Sequence, residues 1–284
     1  MLFSRKEIIL RSLKTSYLAS PLQFPDKPVL VFIHGFPDNA HAWQYQWESL
    51  GQEFDWLAPF LPGTCDDQEF TSKRYRLESL VFDYLQILNT ADYAHRSFVL
   101  IGHDLGGPIV DTLNDNLAQR CQGVIYINTF SLAHFKQRIL DPKQIRKSYY
   151  IALFQVPKVP KFLMDKLTRK TLALIYNKGG VSKEDELRSN TAHVFKAIKL
   201  YKKYFQQLLK ERSIISTNKN KKLLILGTKD PFITIPSLDE VDKFYKNSEL
   251  RVLPENHWLH RTRPERVNTM IKNFINTCDG GRPA

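Results

Sequence analysis

Three short apolar runs, separated by helix-like segments, constrain the fold of this chain more than any other feature of its sequence. The runs cover residues 29–33, 97–101 and 124–127. Apolar runs of this length, rich in β-branched residues, are typical of parallel strands that are buried on both faces. Between them, residues 77–88 place their apolar side chains at helical spacing, and residues 105–117 form a second candidate helix. This alternation predicts an α/β fold with a mostly parallel central sheet and helices on both faces.

The strand pattern stops after residue 130 and returns near residue 218. The intervening residues are rich in Lys, Leu, Tyr and Gln and contain helical stretches at 161–176 and 191–210. Strand-like runs reappear at 223–226 and 250–253, and Pro264 suits the first turn of a final helix. We therefore expect an α/β core in two parts, residues 1–130 and 218–284, interrupted by a helical insertion at residues 131–217.

Basic residues are concentrated in this insertion. The chain has 284 residues and a formal net charge of +12. Residues 136–222 hold 22 Lys and Arg against 6 Asp and Glu, a net charge of +16, so the remainder is slightly acidic. No recognisable nucleic-acid-binding motif carries this charge, so we expect no nucleic-acid partner. Two interpretations stay open: a solvated surface, or a weak attraction to anionic membranes or acidic ligands.

The cysteines and the apolar content bear on the location of the protein. No apolar run approaches the roughly 18 residues that span a bilayer, so we expect no transmembrane segment. The first residues show no apolar stretch followed by a small-residue cleavage site. Cys65, Cys121 and Cys278 are odd in number and far apart, which fits a reducing compartment. We expect a cytoplasmic protein, whose oligomeric state has no signal in the sequence.

The pentapeptide Gly-His-Asp-Leu-Gly at residues 102–106 lies between the second apolar run and the helix that follows it. Glycines on both sides of Asp104 permit a tight strand-to-helix turn whose central residue is held in a strained conformation. Such a turn raises the Asp104 side chain above the carboxyl edge of the sheet, where open α/β sheets bind ligands. Asp104 is therefore a candidate nucleophile, and the alternative is that it caps the helix.

Two later strands end in residues that could assist this nucleophile. The run at 223–226 is followed by the sequence GTKD, which ends at Asp230, and the run at 250–253 is followed by a loop that contains His257. Nucleophile, acid and histidine follow one another in this order in the triads of α/β-hydrolases. We expect Asp104, Asp230 and His257 to meet, with Asp230 orienting the imidazole.

The first apolar run leads into the sequence HGFPDN, residues 34–39. The backbone N–H of Phe36 could pair with that of Leu105 to form an oxyanion hole. The alternative is an ordinary turn at the end of a strand. His34 itself is expected to be structural.

Together these motifs resemble the epoxide hydrolase and dehalogenase branch of the α/β-hydrolase superfamily, over residues 29–274. The matches are HGFPDN with Trp43 just after it, GHDLGG around Asp104, GTKD, and NHW followed by RPERVN. The resemblance is strongest to epoxide hydrolases. It implies an α/β-hydrolase fold, an aspartate nucleophile, and a helical cap that corresponds to residues 131–217.

The resemblance also implies two cap tyrosines that hold the oxygen atom of an epoxide. The stretch SYYIALFQVP at residues 148–157 matches the first at Tyr150, and Tyr201, 29 residues before Asp230, matches the second. Tyr149 and Tyr204 are the alternative candidates, and a packing role is the alternative for each of them. The implied partner is a small, apolar epoxide substrate.

Two positions depart from the family pattern. Leu105 stands where the family usually has tryptophan, and leucine cannot donate the hydrogen bond with which haloalkane dehalogenases hold the leaving halide. Residues 105–109 also supply no arginine of the kind that fluoroacetate-type dehalogenases use to bind a carboxylate. Phe60 stands where the family commonly has aspartate, in the wall of the site near the nucleophile. The departure at Leu105 favours epoxide opening over dehalogenation.

An aspartate is already ionised near neutral pH and suits displacement at a saturated carbon. We therefore predict that an epoxide is opened to a vicinal diol through an Asp104 ester, which water activated by His257 and Asp230 then hydrolyses. No ligand cluster in the sequence predicts a metal or an organic cofactor. A haloalkane or haloacid dehalogenase with the same three residues, and a ligand-binding protein without turnover, remain the alternatives.

Overall fold

An eight-stranded sheet forms the framework of the protein. The computed structural model describes residues 3–10, 13–65, 76–147, 176–177, 204–210 and 215–279. The strands are β1 (Ser4–Leu10), β2 (Leu13–Ala19), β3 (Val29–Ile33), β4 (Trp56–Pro59), β5 (Phe98–His103), β6 (Cys121–Ile127), β7 (Lys221–Gly227) and β8 (Ser248–Leu253). Their spatial order is β1-β2-β4-β3-β5-β6-β7-β8.

The sheet is mostly parallel, as the sequence predicts. Strand β2 pairs antiparallel with β1 on one side and with β4 on the other. All remaining neighbours, from β4 through β3, β5, β6 and β7 to β8, run parallel. The carboxyl ends of β3, β5, β6, β7 and β8 therefore meet at one edge of the sheet.

Helices cover both faces of the sheet. They are α1 (Gln44–Leu50), α2 (Leu77–Leu88), α3 (Gly106–Leu117), α4 (Leu132–Arg138), α5 (Pro142–Lys147), α6 (Leu238–Phe244), α7 (Leu259–Thr262) and α8 (Pro264–Asp279). Alternate side chains of β3 enter two separate cores, because successive residues of a strand point to opposite faces. Val31 packs in the core that contains α2 and α3, whereas Phe32 packs in the core that contains α1 and α8.

Most of the predicted elements are present where the sequence indicates them. Four of the five apolar runs lie wholly within strands, and the run at 97–101 lies in β5 apart from Ser97. Helix α2 has the predicted bounds, and α8 begins at Pro264. The β1–β2 hairpin, β4 and α1 were not predicted. Strand β1 is exposed over much of its length, and β4, although buried throughout, has only four residues and ends in proline, so neither gives a long apolar run in the sequence.

The helical insertion is described in part. Within residues 131–217, α4, α5 and residues 204–210 are helical. The remainder of that range lies mostly outside the described residues, including both predicted helical stretches apart from 176 and 204–210. The three-part division of the chain, with a cap at residues 131–217, therefore stays a prediction.

Candidate active site

Asp104 lies at a tight turn between β5 and α3. Its backbone φ is 50°, in the left-handed region that non-glycine residues rarely adopt. The turn is close-packed, since a Cβ added at Gly106 would lie 2.2 Å from the carbonyl oxygen of Ile33. A Cβ at Gly35 would lie 2.3 Å from Cβ of Asp104. Glycine at these two positions lets the backbone form the turn and lets the Asp104 carboxylate stand over the sheet edge, where its side chain is 19% exposed.

The structure brings His257 and Asp230 to this carboxylate. Nε2 of His257 lies 3.6 Å from Oδ2 of Asp104, and Nδ1 lies 2.6 Å from Oδ2 of Asp230. Both His257 and Asp230 are buried. The other oxygen of Asp230 accepts backbone N–H groups from Phe232 at 2.7 Å and Ile233 at 3.0 Å. Asp230 is therefore fixed by its own turn, and the imidazole of His257 stands between two carboxylates.

The charges of this group are set by their mutual contacts. Burial opposes protonation of His257, but Asp230 and then Asp104 outweigh it and raise the pKa of His257 to about 10. Burial would raise the pKa of Asp104, but the hydrogen bond and charge of His257 outweigh it and lower that pKa below its ordinary value. The neighbouring Asp230 and Asp104 side chains therefore favour the protonated form of His257 in the resting site.

The two predicted oxyanion-hole residues flank Asp104. The backbone N–H of Phe36 donates to Oδ1 of Asp104 at 2.8 Å. Leu105 lies between Asp104 and Gly106, the first residue of α3. Its side chain is buried. The carbonyl oxygen of Leu105 accepts a hydrogen bond from the hydroxyl of Tyr204 at 3.4 Å.

His34 has structural contacts. It is fully buried, its Nδ1 lies 2.9 Å from the carbonyl oxygen of Gly35, and its Nε2 accepts the N–H of Leu61 at 3.0 Å. Since Nε2 accepts, Nδ1 carries the proton and the ring is neutral. Burial lowers the pKa of His34 to about 4, which agrees with that neutral state. These bonds tie the end of β3 to the chain beyond β4.

Asp38 joins the loop after β3 to the segment that follows His257. Its carboxylate is buried and accepts the indole N–H of Trp258 at 2.5 Å and the guanidinium of Arg261 at 3.0 Å. The hydroxyl of Tyr176 lies 3.5 Å from the same carboxylate. Because Trp258 is adjacent to His257, the hydrogen bond from its indole to Asp38 connects the loop that carries Phe36 to the loop that carries the histidine.

The two predicted cap tyrosines, Tyr150 and Tyr201, lie outside the described residues, as does the alternative candidate Tyr149. Among the tyrosine candidates, Tyr204 is described; it is buried and reaches the turn at Leu105. The oxygen-holding role of Tyr150 and Tyr201 therefore stays a prediction.

Four aromatic residues of the core surround the site in different ways. One of them is Phe60, which stands where the family commonly has aspartate. Trp43 and Trp258 are fully buried, whereas Phe232 meets the His257 ring edge to face, with ring centroids 4.9 Å apart. Phe60 is buried, and the guanidinium of Arg5 lies 5.7 Å from the centre of its ring. The Trp258 ring also meets the His257 ring edge to face, with ring centroids 4.8 Å apart, so Phe232 and Trp258 both contact this candidate catalytic group.

Several residues at the site carried no prediction from the sequence. Besides Asp38, they are Asn128 and Thr129 directly after β6, and His103 directly before Asp104. The rule that identified Asp104, a polar residue at the carboxyl end of a buried strand, also applies to Asn128 and Thr129. His103 is buried and donates from Nε2 to the carbonyl oxygen of His257 at 3.1 Å.

The described ranges contain neither a metal-ligand cluster nor a helix that could span a membrane. Within them, no group of three or more His, Cys, Asp or Glu side chains is arranged to hold a metal ion. Nor is any helix of those ranges long and apolar enough to cross a membrane.

Comparisons with known proteins agree with the geometry. The model of a family described as alpha/beta hydrolase fold matches residues 28–264. Epoxide hydrolase 4 of Homo sapiens is 29% identical over 268 residues, which cover 88% of this chain and 72% of that protein. Epoxide hydrolase 3 of Xenopus tropicalis is 25% identical over 267 residues, 87% of this chain and 71% of that protein.

A solved structure shows the same fold. The crystal structure of Bacillus megaterium epoxide hydrolase in complex with an inhibitor superposes with a TM-score of 0.74 at 20% identity. The match covers 95% of this chain and 100% of that one. The chain belongs to the α/β-hydrolase fold family and, within it, is similar to the epoxide hydrolases.

Proposed function

We propose that this chain is an epoxide hydrolase that converts a small, apolar epoxide to a vicinal diol through a covalent Asp104 ester. The observation that carries this proposal is the line of Asp104, His257 and Asp230, with a carboxylate at the turn above the sheet. A carboxylate that is ionised near neutral pH needs no base for its own attack. It can displace the ring oxygen at a saturated carbon and leave an alkyl ester.

The protons of the first step balance within the site. Attack by Asp104 opens the ring and leaves an alkoxide, to which Tyr150 and Tyr201 donate hydrogen bonds. The alkoxide takes up one proton in total after the C–O bond has broken. In the wild-type site the resting imidazolium of His257 supplies it, and in variants that lack this group solvent supplies it, so this proton transfer does not limit alkylation. Esterification removes the negative charge of Asp104, so the pKa of His257 falls and the ring loses this proton readily.

The second step returns the site to its resting state. Neutral His257 takes a proton from water, and the hydroxide attacks the ester carbonyl, while Asp230 stabilises the imidazolium that forms. The tetrahedral oxyanion is held by the N–H groups of Phe36 and Leu105, each worth roughly 3 kcal/mol. Collapse expels the diol oxygen, which takes the remaining proton of the attacking hydroxide, and Asp104 is again a carboxylate.

The surroundings of Asp104 support an epoxide rather than a halide as the substrate. Leu105 is buried beside the nucleophile and has no side-chain donor for a departing chloride or bromide. A dehalogenase with the same three residues is the alternative enzyme, and halide release without diol formation would identify it. Binding of an epoxide without any consumption would identify a ligand-binding protein instead.

Trapping the ester tests this proposal. The His257→Gln variant, incubated with styrene oxide, should accumulate a stoichiometric adduct on the peptide that contains Asp104, because the water that cleaves the ester lacks its base. The matched Asp104→Ala variant should form no adduct and no diol. Mass spectrometry of the digested proteins measures both outcomes.

A single turnover of the wild-type protein in H₂¹⁸O provides an independent test. Hydrolysis at the ester carbonyl places the heavy oxygen in the carboxylate of Asp104 and leaves the first diol unlabelled. Direct attack of water on the epoxide would label the diol instead and would overturn the covalent scheme.

A further inference from the structure

The turn directly after β6 lies between the two strands that lead to Asp104 and Asp230. Strand β6 pairs with β5 on one side and with β7 on the other. Asn128 and Thr129 follow its last residue, and both are buried. The backbone N–H of Asn128 donates to the carbonyl oxygen of Ile225 in β7 at 3.0 Å, so the turn is fastened to its neighbour.

The side-chain amide of Asn128 joins the turn of Asp230 to the loop of His257. Its oxygen accepts the N–H of Gly227, where the turn to Asp230 begins, at 2.7 Å. Its nitrogen donates to the carbonyl oxygens of His257 at 2.6 Å and Asn256 at 2.9 Å. One buried side chain therefore fixes the distance between the acid and the histidine.

Thr129 connects the turn after β6 to the turn that carries Asp104. Its hydroxyl donates to the carbonyl oxygen of Asp104. This approach requires glycine at position 107, where an added Cβ would lie 2.1 Å from Oγ1 of Thr129. The hydrogen bond holds the backbone at the point where φ of Asp104 is 50°.

Asparagine combines two properties that position 128 demands. Its φ is 43°, and asparagine is among the few non-glycine residue types that tolerate this region. Glycine would adopt the same φ but has no side-chain amide to form these hydrogen bonds. Aspartate would accept the N–H of Gly227 but could not donate to His257 and Asn256.

We propose that Asn128 and Thr129 are positioning residues for the reaction inferred above, on which this proposal rests. Asn128 keeps His257 and Asp230 at a fixed separation and orientation, and it thereby speeds ester hydrolysis. Thr129 holds the backbone of the nucleophile, and its contribution is to alkylation. The two residues together tie all three catalytic loops to the end of one central strand.

Separate measurement of the two half-reactions tests this assignment. With styrene oxide under single-turnover conditions, Asn128→Ala and Asn128→Asp should slow ester hydrolysis by about ten- to a hundredfold, because small misplacements of a catalytic group are costly. Alkylation should stay within about threefold in both variants. Thr129→Val should slow alkylation by about tenfold, and Thr129→Ser, which keeps the hydroxyl, should restore it.

Asn247 offers a matched control. It also has a positive φ, 58°, and its amide donates to the backbone carbonyl of Lys219 at 2.9 Å. It precedes β8, at the sheet edge opposite the site. Asn247→Ala also places alanine at a positive φ and also removes a side-chain hydrogen bond to a backbone carbonyl. It should nevertheless leave the rates of both half-reactions close to those of the wild type.

The possible outcomes separate this proposal from the proposed function. A wild-type protein that never forms the Asp104 ester would overturn the function itself. A wild-type protein that forms and hydrolyses the ester, with Asn128 variants that match Asn247→Ala in both steps, would overturn the positioning role alone. Urea unfolding identifies folded variants, and Asn128→Asp, which tolerates the same φ, is the variant to measure if Asn128→Ala does not fold.

Discussion

Nε2 of His257 lies 3.6 Å from Oδ2 of Asp104, and each of these groups stabilises the charge of the other. The contact contributes to the raised pKa of His257 and to the lowered pKa of Asp104. If Asp104 becomes an ester, His257 loses one of its two neighbouring negative charges. The base needed for the second step is therefore generated by the first.

The two half-reactions should consequently depend on pH in different ways. Alkylation needs ionised Asp104, whose pKa is lowered, so its rate should be nearly constant from about pH 8 down to about pH 5. Ester hydrolysis needs neutral His257, so its rate should rise with pH through a midpoint below the value of about 10 in the resting site. Rapid-quench measurements of each step over this range provide the test, and a hydrolysis rate independent of pH would contradict it.

Asp230→Asn should separate the same two steps. An asparagine amide in place of the Oδ2 carboxylate oxygen would donate to Nδ1 of His257, which forces the ring into the tautomer whose proton is on Nε2. A ring in that state cannot accept a proton from water. Ester hydrolysis should fall by about 10³-fold or more, comparable to the matching change in a serine-protease triad. Alkylation should fall much less, and an Asp104 adduct should accumulate in mass spectra.

The buried pair of Asp38 and Arg261 should be a stability determinant. Asp38→Ala leaves a buried guanidinium without its carboxylate, a loss that typically costs about 3–5 kcal/mol. Arg261→Met combined with Asp38→Ala should be less destabilising than the sum of the single changes, because the unpaired charge is gone. Urea unfolding of the four proteins gives the coupling free energy, and strict additivity would show that the pair is not coupled.

The positions of the three catalytic candidates could be predicted because each follows a strand with a strong apolar signal. Parallel strands place their carboxyl ends at one edge, so Asp104, Asp230 and His257 had to converge once the sheet was parallel. Asp230 and His257 are 27 residues apart in the sequence, and the parallel sheet brings them together in spite of that separation.

The contacts that fix those residues could not be predicted in the same way. Asp38 and Trp258 are 220 positions apart, and Asn128 and His257 are 129 positions apart. Their hydrogen bonds depend on the exact approach of loops, which side-chain periodicity does not encode. Strand β1 escaped prediction for another reason, since an exposed edge strand has no buried run.

The cap tyrosines provide the last prediction, because they distinguish epoxide opening from halide release. An opened epoxide leaves an alkoxide that a phenol can stabilise, whereas a departing halide gains less from a hydroxyl donor. Tyr150→Phe and Tyr201→Phe should each slow alkylation by about ten- to a hundredfold, the cost of a lost hydrogen bond to a developing charge. The double change should nearly abolish alkylation, while hydrolysis of the ester should change little. Rapid-quench rates for both steps measure this.

Two neighbouring tyrosines serve as controls for these variants. Tyr204 is three residues from Tyr201, and its hydroxyl donates to the carbonyl oxygen of Leu105 at 3.4 Å. Tyr204→Phe should therefore loosen a contact with the turn and leave alkylation within about threefold, since the hydrogen bond to Leu105 joins neutral groups. Tyr149→Phe should behave like wild type. If Tyr204→Phe were slow in alkylation and Tyr201→Phe were not, the oxygen donor would be Tyr204. If none of the four variants Tyr149→Phe, Tyr150→Phe, Tyr201→Phe and Tyr204→Phe slowed alkylation, none of the candidate cap tyrosines would hold the oxygen, and an epoxide would lose its chemical support as the substrate.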